Sequence, residues 1–292
     1  MNSTKQLKVL MIGAHLDDNE WWGAGTALNY LDKGHSVRFL SVCNGCGGHH
    51  ELSPEAIAKR RYGEAQAVAK LAGLQYDVWD IPDCELVADL ETRKRMVRYI
   101  REYNPDIIFT HRLNDYHADH RATALLVQDA SYLLIVPNFC ADTKAMSQMP
   151  VIVYFEDLFR NPPFKPTVAV NIDSVIDRKY AMFHCHKSQL YEWLPYTYGI
   201  LDQVPEGDEE RLEWYRSPRV PRSAPLPLEK LLEKASDDYN EYTAAVPAAK
   251  HRDLLVARYG EVGKTVLFAE AFEVSEYGTQ LTEETEKILF PF

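Results

Sequence analysis

The sequence predicts an α/β fold, a mostly parallel sheet with helices on both faces and an elaborated C-terminal part. Two observations carry that expectation. Short apolar runs alternate with amphipathic stretches through the first half of the chain, the rhythm of strands joined by right-handed helical crossovers. The first such run also ends in Ala14-His15-Leu16-Asp17-Asp18-Asn19-Glu20, ionisable side chains at a strand's carboxyl end, the edge where α/β sheets bind ligands.

Val9 to Gly13 is the unbroken apolar run of a buried strand, and Trp21 to Leu31 is the helix behind it. Asp32-Lys33-Gly34 punctuates the chain, and His35 to Cys43 reads as a second strand. Asn44 to Leu52 is a Gly-rich loop carrying His49 and His50. Ser53-Pro54-Glu55 opens a helix with a cap, a first-turn proline and an acid; it runs to about Leu71 and closes at Gly73. Tyr76 to Ile81 is a short third strand stopped by Pro82-Asp83. Glu91 to Tyr103 is a helix ended by Asn104-Pro105, and Asp106 to His111 is a fourth strand. The polar loop Arg112 to Ala118 leads into a helix from about Asp119 to Leu134. A strand order 3-2-1-4 sets strands one and four side by side where the winding reverses, so the loops after Gly13 and Thr110 face each other across the expected ligand crevice.

The second half has less period. Val151 to Phe155 and Val168 to Ile172 read as strands, Asp173 to Leu190 and Glu229 to Tyr242 as helices, and Lys264 to Phe272 as a late strand. Between them, about 193–227 is an irregular insertion rich in Pro, aromatics and acids, long enough for a cover over a site or a subunit contact in a homo-oligomer. With no repeat, low-complexity tract or linker, residues 1–292 are expected to form a single elaborated domain.

Composition narrows the function. Lys and Arg number 32 against 43 Asp and Glu, a net charge of -11, which argues against binding nucleic acid or anionic membranes. No apolar stretch reaches a membrane span or a signal sequence, so a cytoplasmic protein is expected. The five cysteines are odd in number, and Cys43-Asn-Gly-Cys46 lacks the second pair that a structural zinc needs; two thiols in a loop is the simpler reading.

The loop after the fourth strand carries His117-Ala118-Asp119-His120. Taken singly, His-x-x-His and Asp-Asp are ordinary solvated helix starts. Brought together at two adjacent strand ends, His15, Asp18 and one of the two later histidines would make a two-histidine, one-carboxylate site with an open position, the catalytic zinc pattern. Asp17 would serve as general base, the spare histidine would stabilise an oxyanion, and Asp119 would orient a histidine through its second nitrogen.

At this point the sequence resembles the PIG-L (LmbE-like) zinc-dependent N-deacetylases, whose signatures A-H-P-D-D and H-P-D-H appear with Leu16 and Ala118 in place of proline. Asn44-Gly45, Arg61-x-x-Glu64, Pro82-Asp83, His186-Lys187-Ser188-Gln189 and Ala269-Glu270-Ala271-Phe272 extend the likeness. The resemblance implies a Rossmann-like fold and removal of an N-acetyl group from an N-acetylglucosamine-type sugar or sugar conjugate. It assigns zinc to His15, Asp18 and His120, the base to Asp17, and the oxyanion partner to His117 paired with Asp119. It gives substrate contacts to Arg61 and Asp83. Fe2+, Co2+ or Ni2+ would suit the same ligands.

The departures are Asn19 where the family has Glu, Cys46 where Asp is frequent, and Trp21-Trp22 where smaller residues are usual. The tryptophan pair reads as helix packing ahead of a stacking wall for a sugar, His111 reads as structural, and His186 reads equally as structural or as a residue near the site. The alternatives are an amidase acting on another acyl group or conjugate through the same zinc site, or a non-catalytic carbohydrate-binding protein.

Overall fold

The structure, a computed structural model, describes residues 5–157, 159–216, 225, 227–231 and 244–292. Strands β1 (Lys8–Gly13), β2 (Ser36–Ser41), β3 (Gln75–Val78), β4 (Ile107–Thr110) and β5 (Val151–Phe155) are parallel. The seven-stranded sheet runs β3-β2-β1-β4-β5-β7-β6, with β7 (Ala269–Gly278) antiparallel between β5 and β6 (Val168–Asn171). The expected order of the first four strands is present.

Apolar runs become buried strands because both faces of the sheet are covered. Val9 and Met11 join the cluster on one face, Leu10 and Ile12 the cluster on the other. Helix α1 (Asp18–Asp32) packs against α5 (Ile176–Cys185), and α3 (Leu90–Tyr103) against α4 (Ala118–Leu133). Helix α2 (Pro54–Ala72) begins where the Ser53 side chain accepts from the Ala56 N–H and ends at Gly73 in the left-handed region, as its sequence signals require. Trp21 packs edge-on against Phe183 at 5.2 Å and Trp22 joins the core, so the pair is helix packing. Inside the molecule Glu270 accepts from the Gly25 and Thr26 N–H groups of α1, and Lys179 Nζ bridges Glu270 (2.6 Å) to the Trp21 carbonyl.

Three expectations change. The helix forecast over Asp173 to Leu190 is broken at His186: a 3-10 turn precedes α5, and a π-helical turn, Gln189–Trp193, follows it. The break accompanies a fully buried His186 imidazole bonded to Glu20 at 2.8 Å. The late strand lies further on than Lys264 to Phe272, because Asp173 accepts the Leu267 and Phe268 N–H groups and holds them outside the sheet. The 193–227 stretch is partly helical, with α6 (Leu194–Tyr198) and α7 (Asp208–Arg216). Of the helix expected over Glu229 to Tyr242, residues 229–231 are helical and the rest lies outside the described residues. Helices Ala245–Lys250, Arg252–Tyr259 and Glu283–Leu289 had no counterpart in the sequence reading. Among the described residues no helix is long and apolar enough to cross a membrane.

Candidate metal centre

Register brings the two signature loops together, because Ile12 at the end of β1 lies beside Thr110 at the end of β4. Beyond β1 the chain turns into α1 so tightly that a Cβ on Gly13 would lie 2.7 Å from Asp18 Cβ, and glycine alone fits there. Beyond β4, His117 is the N-cap of α4; its Nδ1 accepts from the Asp119 N–H at 3.1 Å.

Four donor atoms of three residues converge, with each Asp18 oxygen facing one histidine. His15 Nδ1 lies 3.2 Å from His120 Nε2 and 3.6 Å from Asp18 Oδ2, and His120 Nε2 lies 3.4 Å from Asp18 Oδ1. Ligands about 2.1 Å from a tetrahedral ion stand about 3.4 Å apart, so the triangle fits a zinc-sized cation. Among the described residues four trios offer one donor atom each within 4.8 Å of one another, two of them built on His120: His15, His117 and His120, and Asp18, His111 and His120.

Each ligand is held from behind. Asp119, fully buried, accepts from His15 Nε2 at 3.1 Å and from the Cys84 N–H at 2.7 Å. Asp115 Oδ1 lies 3.0 Å from His120 Nδ1 and accepts the His117 N–H at 2.9 Å. Asp18 Oδ2 accepts the His15 N–H at 2.7 Å and lies 3.1 Å from His111 Nε2, whose ring stacks on His120 at 4.0 Å. Such carboxylate backing fixes ring orientation and raises ligand basicity. Burial alone would raise the Asp18 carboxyl, but His120 and His111 outweigh it and hold it well below the usual range. Burial would lower His120, but Asp18 and Asp115 push it up to about 10. The cluster thus seats a positive charge between two carboxylates.

Asp119 lies closer to His15 than to His117. His117 Nδ1 lies 3.7 Å from the carboxylate and is engaged by the helix N–H, while the carboxylate's histidine is His15. Burial and then the neighbouring His15 and His120 lower the His117 pKa, favouring the neutral ring. With Nδ1 accepting, its proton sits on Nε2.

His15, Asp17, Arg61, Asp83 and His117 all line one cavity of about 250 Å³, together with Tyr116, Gln189 and Trp193. The Asp17 side chain, 25% exposed, faces Arg61, 3.1 Å from its guanidinium. Arg61 is buried beneath the loop after β2, where Gly45 adopts φ +78 and a Cβ would sit 2.7 Å from Arg61 Cδ. Asp83 accepts the Gly45 and Gly47 N–H groups at 2.8 and 3.0 Å and lies 4.0 Å from Arg61. Its oxygens are therefore engaged by the loop backbone while the residue borders the cavity.

Sequence reasoning missed Asp115 and Tyr116. Asp115 carried a signal, a carboxylate two residues ahead of a paired-histidine motif; Tyr116 carried none. Trp193, at the start of the aromatic 193–227 stretch expected to cover a site or form a subunit contact, lines the cavity. Cys43 is fully buried, and burial followed by the Asp119 charge pushes its thiol up, which suits a packed thiol.

Residues 10–131 match the family model described as PIG-L: GlcNAc-PI de-N-acetylase. The chain is 26% identical over 203 residues to the 4-oxalmesaconate hydratase of Pseudomonas putida KT2440, covering 67% of this chain and 79% of that protein. Two solved structures share the fold. The N,N'-diacetylchitobiose deacetylase from Pyrococcus horikoshii has a TM-score of 0.63 and 21% identity, covering 92% of this chain and 83% of that one. The 4-carboxy-2-hydroxymuconate hydratase from Pseudomonas putida KT2440 has a TM-score of 0.64 and 20% identity, covering 95% and 99%. The matched stretch, residues 10–131, holds both signature loops.

Proposed function

We propose that the chain is a zinc-dependent N-deacetylase acting on an N-acetylglucosamine-type sugar or sugar conjugate. The observation that carries the reading is the triangle of His15, Asp18 and His120 at 3.2 to 3.6 Å, beside a cavity that Asp17 and His117 also line. A zinc ion on those three ligands would polarise the acetyl carbonyl and lower the pKa of a water; the mixed N/O set also accepts Fe2+, Co2+ or Ni2+.

The chain's own groups do the rest. Asp17, at the cavity wall, takes the proton of the attacking water and returns it to the leaving amine. Arg61, 3.1 Å away, holds that carboxylate in place. His117 donates its Nε2 proton in a hydrogen bond to the oxyanion of the tetrahedral intermediate. Asp119 and Asp115 keep His15 and His120 turned toward the centre.

Charge favours a neutral substrate. Arg61 is the single lysine or arginine among the residues lining the cavity, and Asp17 and Asp83 already face it. A second reading, addition of water to an unsaturated polycarboxylate, is favoured by the identity to the Pseudomonas hydratase. Metal-loaded protein decides between them. Acetate release from N-acetylglucosamine and its conjugates supports deacetylation. Loss of ultraviolet absorbance from an unsaturated dicarboxylate, with no acetate released, overturns it.

A further inference from the structure

We propose that the mouth of this cavity is a subsite for a second sugar ring, with Trp193 and Tyr116 as its platforms. The substrate is then a disaccharide or larger glycoconjugate rather than a free monosaccharide. The inference rests on the deacetylase reading and deepens it.

Size is the first argument. The cavity, about 250 Å³, is small and bordered by Tyr116, Trp193 and Leu194. A group attached to a sugar held against the proposed ligands would meet these side chains.

The chemistry of the mouth is the second. Trp193 closes the π-helical turn after α5 and lines the cavity. Its indole begins a stack of rings: Tyr196 at 5.9 Å and 25°, then His50 on Tyr196 at 4.0 Å and 4°, then His49 on His50 at 4.8 Å and 9°. The far end is pinned, because His49 Nε2 bonds Glu192 at 2.8 Å and Arg60 grips the same carboxylate at 2.7 Å. Tyr116 lines the cavity too, stands edge-on to His117 and His120, and is 74% exposed. Aromatic faces carry negative quadrupole and attract the polarised C–H face of a pyranose. Rings already fixed by their own stack lose little freedom when a sugar lies on them.

Charge is the third. Among the described residues that line the cavity, Arg61 is the one lysine or arginine, and it already faces Asp17 and Asp83. A neutral ring is the occupant that suits that lining.

The test uses full-length, metal-loaded protein with N-acetylglucosamine and N,N'-diacetylchitobiose. Wild type should show the higher kcat/KM on the two-ring sugar. Trp193→Ala should lower that preference roughly three- to tenfold, and Trp193→Phe should keep most of it, which guards against misfolding as the cause. A preference that is absent, or that survives Trp193→Ala, overturns the subsite. Calorimetric titration with glucosamine and chitobiose reads the subsite without turnover. If neither acetylated sugar releases acetate, the deacetylase reading falls, and the titration alone decides. Chitobiose binding no tighter than glucosamine, or a ratio that Trp193→Ala leaves unmoved, overturns the subsite.

Discussion

Asp115→Ala tests the architecture behind the metal ligands. Asp115 Oδ1 lies 3.0 Å from His120 Nδ1 and also accepts the His117 N–H at 2.9 Å, and the residue is buried. Removing the carboxylate takes away the anion nearest to His120 Nδ1, frees the ring to turn and makes Nε2 a weaker donor to a metal. The expected loss is roughly 10- to 100-fold in metal affinity, the range for outer carboxylates of metal-bound histidines. Asp115→Asn keeps the volume and one acceptor, so it should fall between wild type and Asp115→Ala. The assay is competition against a chromophoric chelator at neutral pH, with turnover at saturating metal as a second readout. Affinity should drop and turnover should largely return when metal is added. Unchanged affinity in Asp115→Ala would refute the idea that this carboxylate supports the site through His120. A turnover defect that metal cannot repair would refute it equally.

The remaining expectations address single roles. Asp17→Asn should keep its metal while kcat falls about 10²–10⁴. Asp18→Asn should lose metal first and be partly rescued by added zinc; zinc rescue of Asp17→Asn instead would remove Asp17 as the base. His117→Ala should retain metal, lose about 10²–10³ in kcat and lower Tm slightly through the lost cap of α4; loss of metal would make it a ligand. Lys179→Met strands the buried Glu270 carboxylate. It should destabilise the protein by about 3–5 kcal/mol in urea unfolding, and a variant as stable as wild type would show the pair to be dispensable.

Local signals wrote much of the first half into the sequence. β1 and β4 are short apolar runs between polar punctuation, and Ser53, Gly73 and Asn104 mark helix ends whose caps are present in the structure. The alternation of strand and helix pointed to a parallel sheet, and the order 3-2-1-4, which the alternation allows without fixing, is the one that brings His15 and Asp18 to His120. The partner of Asp119 was not legible, because a carboxylate in the first turn of a helix can reach either neighbouring histidine. The geometry that selects His15 arises only when the β1 loop docks. The late strand was misplaced for a related reason. Val266, Leu267 and Phe268 are apolar enough for a strand, yet the Leu267 and Phe268 N–H groups bond to Asp173, a partner far away in sequence. β7 in turn carries the buried Glu270, whose charge is met by Lys179 from α5.

The same division separates chemistry from selectivity. The proposed ligands and base lie on two loops at the ends of adjacent parallel strands, where the backbone fixes them and a short motif can specify them. The walls come from elsewhere: Arg61 from α2, Asp83 from the loop after β3, Trp193 from the π-helical turn after α5. No short motif links those segments, and their side chains meet only in the folded chain. A metal-activated water can attack a polarised carbonyl, and charge and shape in the wall help decide which substrate is presented to it. In this chain the single cavity arginine faces Asp17 and Asp83, and the rim is aromatic. Placing a cation at the rim, as in Trp193→Arg, should therefore weaken binding of neutral two-ring sugars and strengthen binding of their phosphorylated counterparts. Calorimetry on the metal-loaded variant measures both, and an unchanged order of affinities would show that the rim does not select the substrate.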